Sequence, residues 1–158
     1  MTLADNLLES LSDWKPSGEV RSVLTHVAGD WTVSIAADRN DSVGSLVWEM
    51  SLTRSAIGVE RIAVVPWAER VVSRVTGLME PLKIIEVDQQ QNEAILRSTD
   101  PARKGDIAQY YEVQLSGRGS ATVKRYKADT VSGSRREQVS YALTHEGIAK
   151  LADDLVRD

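Results

Sequence analysis

From Leu46 to Thr53 the side chains alternate, with Leu46, Trp48, Met50 and Leu52 in one phase and Val47, Glu49, Ser51 and Thr53 in the other. A period of two with apolar residues in phase predicts a strand over residues 45–54 that buries its Leu46, Trp48, Met50 and Leu52 face. The pattern returns at an offset of 63 residues, where Gln109, Tyr111, Val113 and Leu115 take the same places in residues 108–117. A second correspondence, at an offset of 77, sets residues 64–71 against 141–148, and the change of offset implies a 14-residue insertion within 120–134. Together these matches predict a single domain, 1–158, holding two related halves, 18–79 and 80–157, each a β-meander followed by a helix.

Upstream, Thr2 and Asp5 have the spacing of a capping box, and Leu3, Leu7, Leu8, Leu11 and Trp14 then fall on one helical stripe. Pro16, Ser17 and Gly18 stop that helix. Residues 20–27 and 31–37 read as a hairpin closed by Ala28, Gly29 and Asp30, with Trp31, Val33, Ile35 and Ala37 toward the core. A polar loop over 38–44 leads to the central strand, and Ile62 and Val64 predict a fourth short strand over 60–65. Pro66 suits the start of a helix, where its missing N–H costs nothing, and Ala68, Val71, Val72, Val75 and Leu78 supply an apolar stripe bounded by Gly77 and Pro81. Strands over 82–87, 93–98, 108–117, 122–128 and 136–143 follow, and Thr144 caps a last helix carrying Ile148, Leu151, Ala152 and Leu155. Strands joined by short turns pair antiparallel, and three helices cover only one face of a large sheet. The expected class is therefore α+β, a curved antiparallel sheet with helices on one side.

Composition alters this picture little. With 158 residues, 42% of them hydrophobic, the chain can bury a core of its own. The net charge of −4 argues against a general nucleic-acid or membrane-surface binder. No apolar run approaches the ~20 residues of a membrane span. The first residues carry Asp5 and Glu9 rather than a basic stretch ahead of an apolar one, so a cytoplasmic location is the expectation. The absence of cysteine removes disulfide and thiolate chemistry.

Candidate chemistry is sparse. The two histidines, His26 and His145, fall in a predicted strand and in the first turn of a helix, a spacing that requires neither a triad nor a metal site. Asp38, Asn40, Ser42 and Glu49 occupy the first, third, fifth and twelfth places of a calcium-loop pattern. Val43, however, takes the place of the glycine that makes the loop's sharp turn, and a hairpin loop is the better reading. Glu49 and Glu112 stand at corresponding places of the two halves and become an acid–base pair only if the fold brings them together; solvated glutamates on an open sheet face are the ordinary outcome. Trp14, Trp31, Trp48 and Trp67, in a chain without phenylalanine, do much of the aromatic packing, with Trp67 expected near the surface beside its helix start. No catalytic residue, cofactor or metal site is named.

One charge feature stands apart. Residues 117–136 hold Arg118, Lys124, Arg125, Lys127, Arg135 and Arg136 against Asp129 alone, a net +5 set on a remainder of −9. Functionally, this inserted hairpin reads as a docking arm for an acidic protein or for nucleic acid, and its six cations are the candidate partner-binding residues. Structurally, it reads as an edge hairpin whose Lys and Arg prevent strand-to-strand aggregation. As an insertion, it is expected to be dispensable for folding. Small size, an acidic balance, an amphipathic N-terminal helix and helices interspersed among antiparallel strands resemble the element order of the type III secretion chaperones. That resemblance is one of order, carries no residue across, and implies a dimeric, non-enzymatic partner binder. The first reading is accordingly a non-catalytic protein-binding or adaptor domain that self-associates and takes no cofactor. The alternatives are contact with nucleic acid or an acidic partner through the basic hairpin, and a small-ligand pocket or enzyme between sheet and helices.

Overall fold

The computed structural model describes residues 2–16, 20–55, 61–78, 80–133 and 135–156; Ser17, Gly18, Glu60 and Ser134, on which some of the expected boundaries fall, lie outside them. Helix α1 (Leu3–Asp13) begins as its capping box predicts. Thr2 Oγ1 accepts from the Asp5 backbone N–H at 3.1 Å, while the Asp5 carboxylate accepts from the Thr2 backbone N–H at 3.1 Å. Its Leu7 and Leu11 are fully buried, with Leu3 and Trp14 packed at the margin of the core. Strands β1 (Ser22–Ala28), β2 (Trp31–Asn40) and β3 (Gly44–Arg54) then form an antiparallel meander, with Gly29 at φ +59° in the first turn.

In β3 the structure departs from the alternation. Met50 and Leu52 face the core as expected, but the next buried residues are Val47 and Ser45, not Trp48 and Leu46. The cause is a pair of register shifts between β2 and β3. Ala36 pairs with Glu49 and Ala37 with Val47, which leaves Trp48 without an opposite residue, and Asp38 is skipped in the same way on β2. One extra residue moves every later side chain to the other face. Trp48 consequently lies half-exposed on the open face, with the Arg21 guanidinium 3.7 Å from its ring centroid.

Helix α2 (Val64–Arg74) starts where a strand was expected: residues 61–63 are irregular, and Val64 opens the helix. A clasp from a distant turn explains the change. Asn92 Oδ1 accepts from Val64 N at 3.2 Å, Asn92 Nδ2 donates to Ile62 O at 2.8 Å, and Ile62 N donates to Gly117 O at 2.8 Å, so these backbone groups are satisfied without a ladder. A Cβ at Gly117 would fall 1.7 Å from Asn92 Nδ2 and 2.7 Å from Ile62 O. Gly117→Ala is therefore expected to destabilise by about 3 kcal/mol, the upper end of ordinary overpacking. A urea midpoint within experimental error of the parent would show that the clasp yields. Trp67, expected near the surface, is buried, and its Nε1–H donates to Leu155 O at 2.8 Å.

The remaining strands are β4 (Leu82–Asp88), β5 (Glu93–Ser98), β6 (Ala102–Lys104), β7 (Ile107–Ser116), β8 (Ser120–Asp129), β9 (Glu137–Val139) and β10 (Tyr141–Thr144). Helix α3 (His145–Val156) follows, its Gly147 N–H capped by Thr144 Oγ1 at 3.0 Å. Among the described residues the sheet is open, antiparallel and ten-stranded, with the main order β1-β2-β3-β8-β7-β5-β4. The segment expected as an inserted edge hairpin is thus no appendage, because its first strand, β8, lies in the middle of the sheet between β3 and β7. Strands β3 and β8 pair only over residues 50–53 and 120–123. Beyond that they part, and the opening is filled first by β9 on β8 and then by β10 on β3. At the parting point Tyr141 donates its hydroxyl to Val123 O at 2.9 Å and Gln138 Nε2 donates to Trp48 O at 3.0 Å, which satisfies carbonyls near the end of the β3–β8 ladder.

One apolar core joins the sheet to all three helices, with Ile35, Met50, Val113 and Val123 meeting Leu11, Val71, Ile148 and Leu155. The opposite sheet face carries no helix among the described residues. Tyr111 is on the core face and Trp48 on the open one, and the strand across the middle of the sheet from β3 is β8 rather than β7. The leading pair of the 63-residue correspondence is therefore not matched in space. Among the described residues, no helix is long and apolar enough to cross a membrane.

Candidate functional site

The six cations of residues 117–136 do not share one surface. Arg125 points into the core at 3% exposure, where its Nη1 donates to Glu80 Oε1 at 3.1 Å and its guanidinium lies 4.3 Å from the Tyr111 ring centroid. Ser98 Oγ donates to the same Glu80 oxygen at 3.1 Å and accepts from Tyr111 N at 2.8 Å, so a buried polar network links β5, β7 and β8. On the open face Lys124 pairs with Glu49 at 3.2 Å, while Lys127, in phase with Arg125 but beyond the core, pairs with Glu137 at 3.3 Å. Arg136 pairs with Glu112 and stacks 3.8 Å from the Tyr126 ring centroid. Four of the six are thus tied to carboxylates of this chain, and Arg118 and Arg135 are exposed.

Glu49 and Glu112 do not form an acid–base couple. Lys124 is ion-paired to Glu49 and stands opposite Glu112 in the β7–β8 ladder, so a cation separates the two carboxylates. Burial alone would push the Glu112 carboxyl up, but hydrogen bonds from Arg136 and Gln114, with the charges of Arg136 and Arg97, outweigh it and hold the group below its ordinary value. Arg97 Nε donates to it at 3.0 Å and Gln114 Nε2 at 3.0 Å. Such a carboxylate holds strands together in its ionised form and is poorly suited to taking up a proton near neutrality.

The histidines serve separate joints. His26 Nδ1 is 3.4 Å from Ser10 Oγ between β1 and α1, while His145 Nε2 is 2.7 Å from Asn40 Oδ1. Asn40 Nδ2 donates to the carbonyls of Leu11 and Trp14, closing the end of α1, and its Oδ1 also accepts from Ser45 Oγ at 2.6 Å. Asp38 Oδ1 accepts from Arg21 Nε at 2.8 Å and its other oxygen accepts from Ser140, and these bonds lower its pKa. Two residues of the calcium-loop pattern, Asp38 and Asn40, are thereby engaged in joining α1, the β2–β3 turn and the approach to β10, while Glu49 pairs with Lys124 elsewhere on the sheet. A hollow of about 800 Å³ opens beside this joint between Pro16, Leu46, Val43 and Leu143. Among the described residues no three His, Asp or Glu side chains converge as a metal site.

What remains distinctive is the contrast between the two ends of the sheet. Strand β4, LKIIEVD, carries Lys83, Glu86 and Asp88 and a register shift between Ile84 and Glu86, features that keep an edge from pairing with another chain. Strand β1, SVLTHVA, carries no acidic or basic side chain except His26 and pairs with β2 in unbroken register over all seven residues. Its inner positions are covered: Leu24 joins the core and His26 meets α1. Its outer positions, Val23, Thr25 and Val27, are exposed, the valines at 61% and 67%. Among the described residues no strand pairs with the outer side of β1. No protein family, no curated protein and no solved structure matches this chain.

Proposed function

We propose that this chain is a non-catalytic protein-binding domain that receives an extended segment of its partner along the free edge of β1. The observation that supports the reading is the asymmetry of the sheet ends, since β4 carries a bulge and three charges against pairing and β1 carries no such device. Strand addition would supply a row of main-chain hydrogen bonds, with Val23 and Val27 adding side-chain contact on the open face. The basic residues contribute less to this reading, because Lys124, Arg125, Lys127 and Arg136 are matched by Glu49, Glu80, Glu137 and Glu112.

Photo-cross-linking in the native host tests it. A photoreactive residue placed at Thr25 is expected to form a protein adduct, whereas one at Ser51, in the middle of the same face, is expected to form none. Absence of any adduct from position 25, or equal capture from both positions, overturns the reading.

A further inference from the structure

We infer that the segment received on β1 is β1 of a second copy of this chain, so that two sheets join edge to edge into one. The inference rests on the binding reading above and names the partner for it. Antiparallel pairing about a two-fold axis at Thr25 uses the whole strand: Ser22 faces Ala28 of the second copy, Val23 faces Val27, and Leu24 faces His26. Such an axis runs perpendicular to the sheet, which keeps both helical layers on one side and both open faces on the other.

The strand is complementary to itself in this register. Its covered and exposed positions alternate symmetrically about Thr25, so covered residues meet covered residues and exposed ones meet exposed ones. Val23 and Val27 are the most exposed large apolar residues in any strand among the described residues, and the axis sets each directly opposite the other's copy. β-Branched residues in directly opposed positions stabilise an antiparallel pair. The neighbouring open-face residues of β2, Thr32, Ser34 and Ala36, are uncharged, so no like charges are forced together at the seam. A partner of unrelated sequence has no need of a strand symmetric about its own midpoint, and a second copy does.

Sedimentation equilibrium at tens of micromolar is expected to give twice the 17.4 kDa of one chain. Val23→Lys combined with Val27→Lys is expected to abolish the dimer, because the introduced lysines then face one another, and Val23→Glu with Val27→Glu is expected to do the same. Mixing the two doubly substituted chains is expected to restore a dimer, since lysine at one position now faces glutamate at the other. Both substituted positions are well exposed, so circular dichroism should match the parent. A parent chain that stays monomeric across the concentration series, a dimer indifferent to the lysines, or a mixture that fails to reassociate overturns the self-pairing. The two claims separate at position 25. An adduct of two copies supports both, an adduct with a different protein leaves the binding reading standing and removes the self-pairing, and no adduct removes both.

Discussion

Trp67→Ala is expected to lower folding stability by about 3–5 kcal/mol, the range for truncating a large buried aromatic, whereas Trp48→Ala costs about 1 kcal/mol. The two residues exchange the roles that sequence pattern assigns them. Trp67 is 2% exposed, stands 6.1 Å from the Trp31 ring centroid and holds Leu155 O through its indole N–H. Its removal opens a cavity at the junction of α2 and α3 and leaves a carbonyl without its partner. Trp48 is partly exposed and stacks under Arg21 on the open face, away from the apolar core, so its loss leaves a gap at the surface. Urea midpoints of the two variants, compared at a common m-value, decide the matter. A larger loss for Trp48→Ala would mean that the bulge in β3 does not turn its ring outward.

Arg125→Met is the second large effect. Within a run of basic residues it looks like one more solvated cation, yet it faces Glu80 where both side chains are under a tenth exposed. Replacing one partner strands the Glu80 charge in a site with little water, which costs about 3–5 kcal/mol. Lys127→Met, at an exposed pair with Glu137, is expected to change stability by less than about 1 kcal/mol. Adding Glu80→Gln to Arg125→Met removes the stranded charge while keeping an acceptor for Ser98, so the double variant is expected to recover most of the loss. Thermal or urea unfolding of the four chains tests this. If Arg125→Met and Lys127→Met have equal effects, the Glu80–Arg125 pair is not part of the core.

Strand β8 explains why the hairpin of residues 120–134 cannot be read as dispensable. It pairs with β3 on one side and β7 on the other, so its deletion would divide the sheet. Its charge pattern reflects this central position: Val123 and Arg125 face the core, and Lys124 and Tyr126 face the open side, so alternate residues meet different partners. The basic count between residues 117 and 136 was legible. The carboxylates that match it were not, because Glu49 and Glu80 belong to other parts of the chain.

The sequence by itself determined whatever depends on residues within a few positions of one another. The Thr2–Asp5 capping box, the turn at Gly29, the Thr144 cap and the buried stripe of Ile148, Leu151, Ala152 and Leu155 were all readable, because each is a local balance of backbone hydrogen bonds and side-chain spacing. The α+β class followed from counting such elements. Tertiary structure alone decided the bulges that turn Trp48 outward, the start of α2 under the Asn92 clasp, and the place of β8 in the sheet. These arise from pairings such as Met50 with Val123 and Val64 with Asn92, whose partners are remote in the chain and whose energy comes from packing rather than from local preference. The candidate site divides in the same way. That SVLTHVA lacks acidic and basic residues other than histidine is visible in the sequence, but only the assembled sheet puts that strand at an end, with no strand among the described residues pairing its outer side.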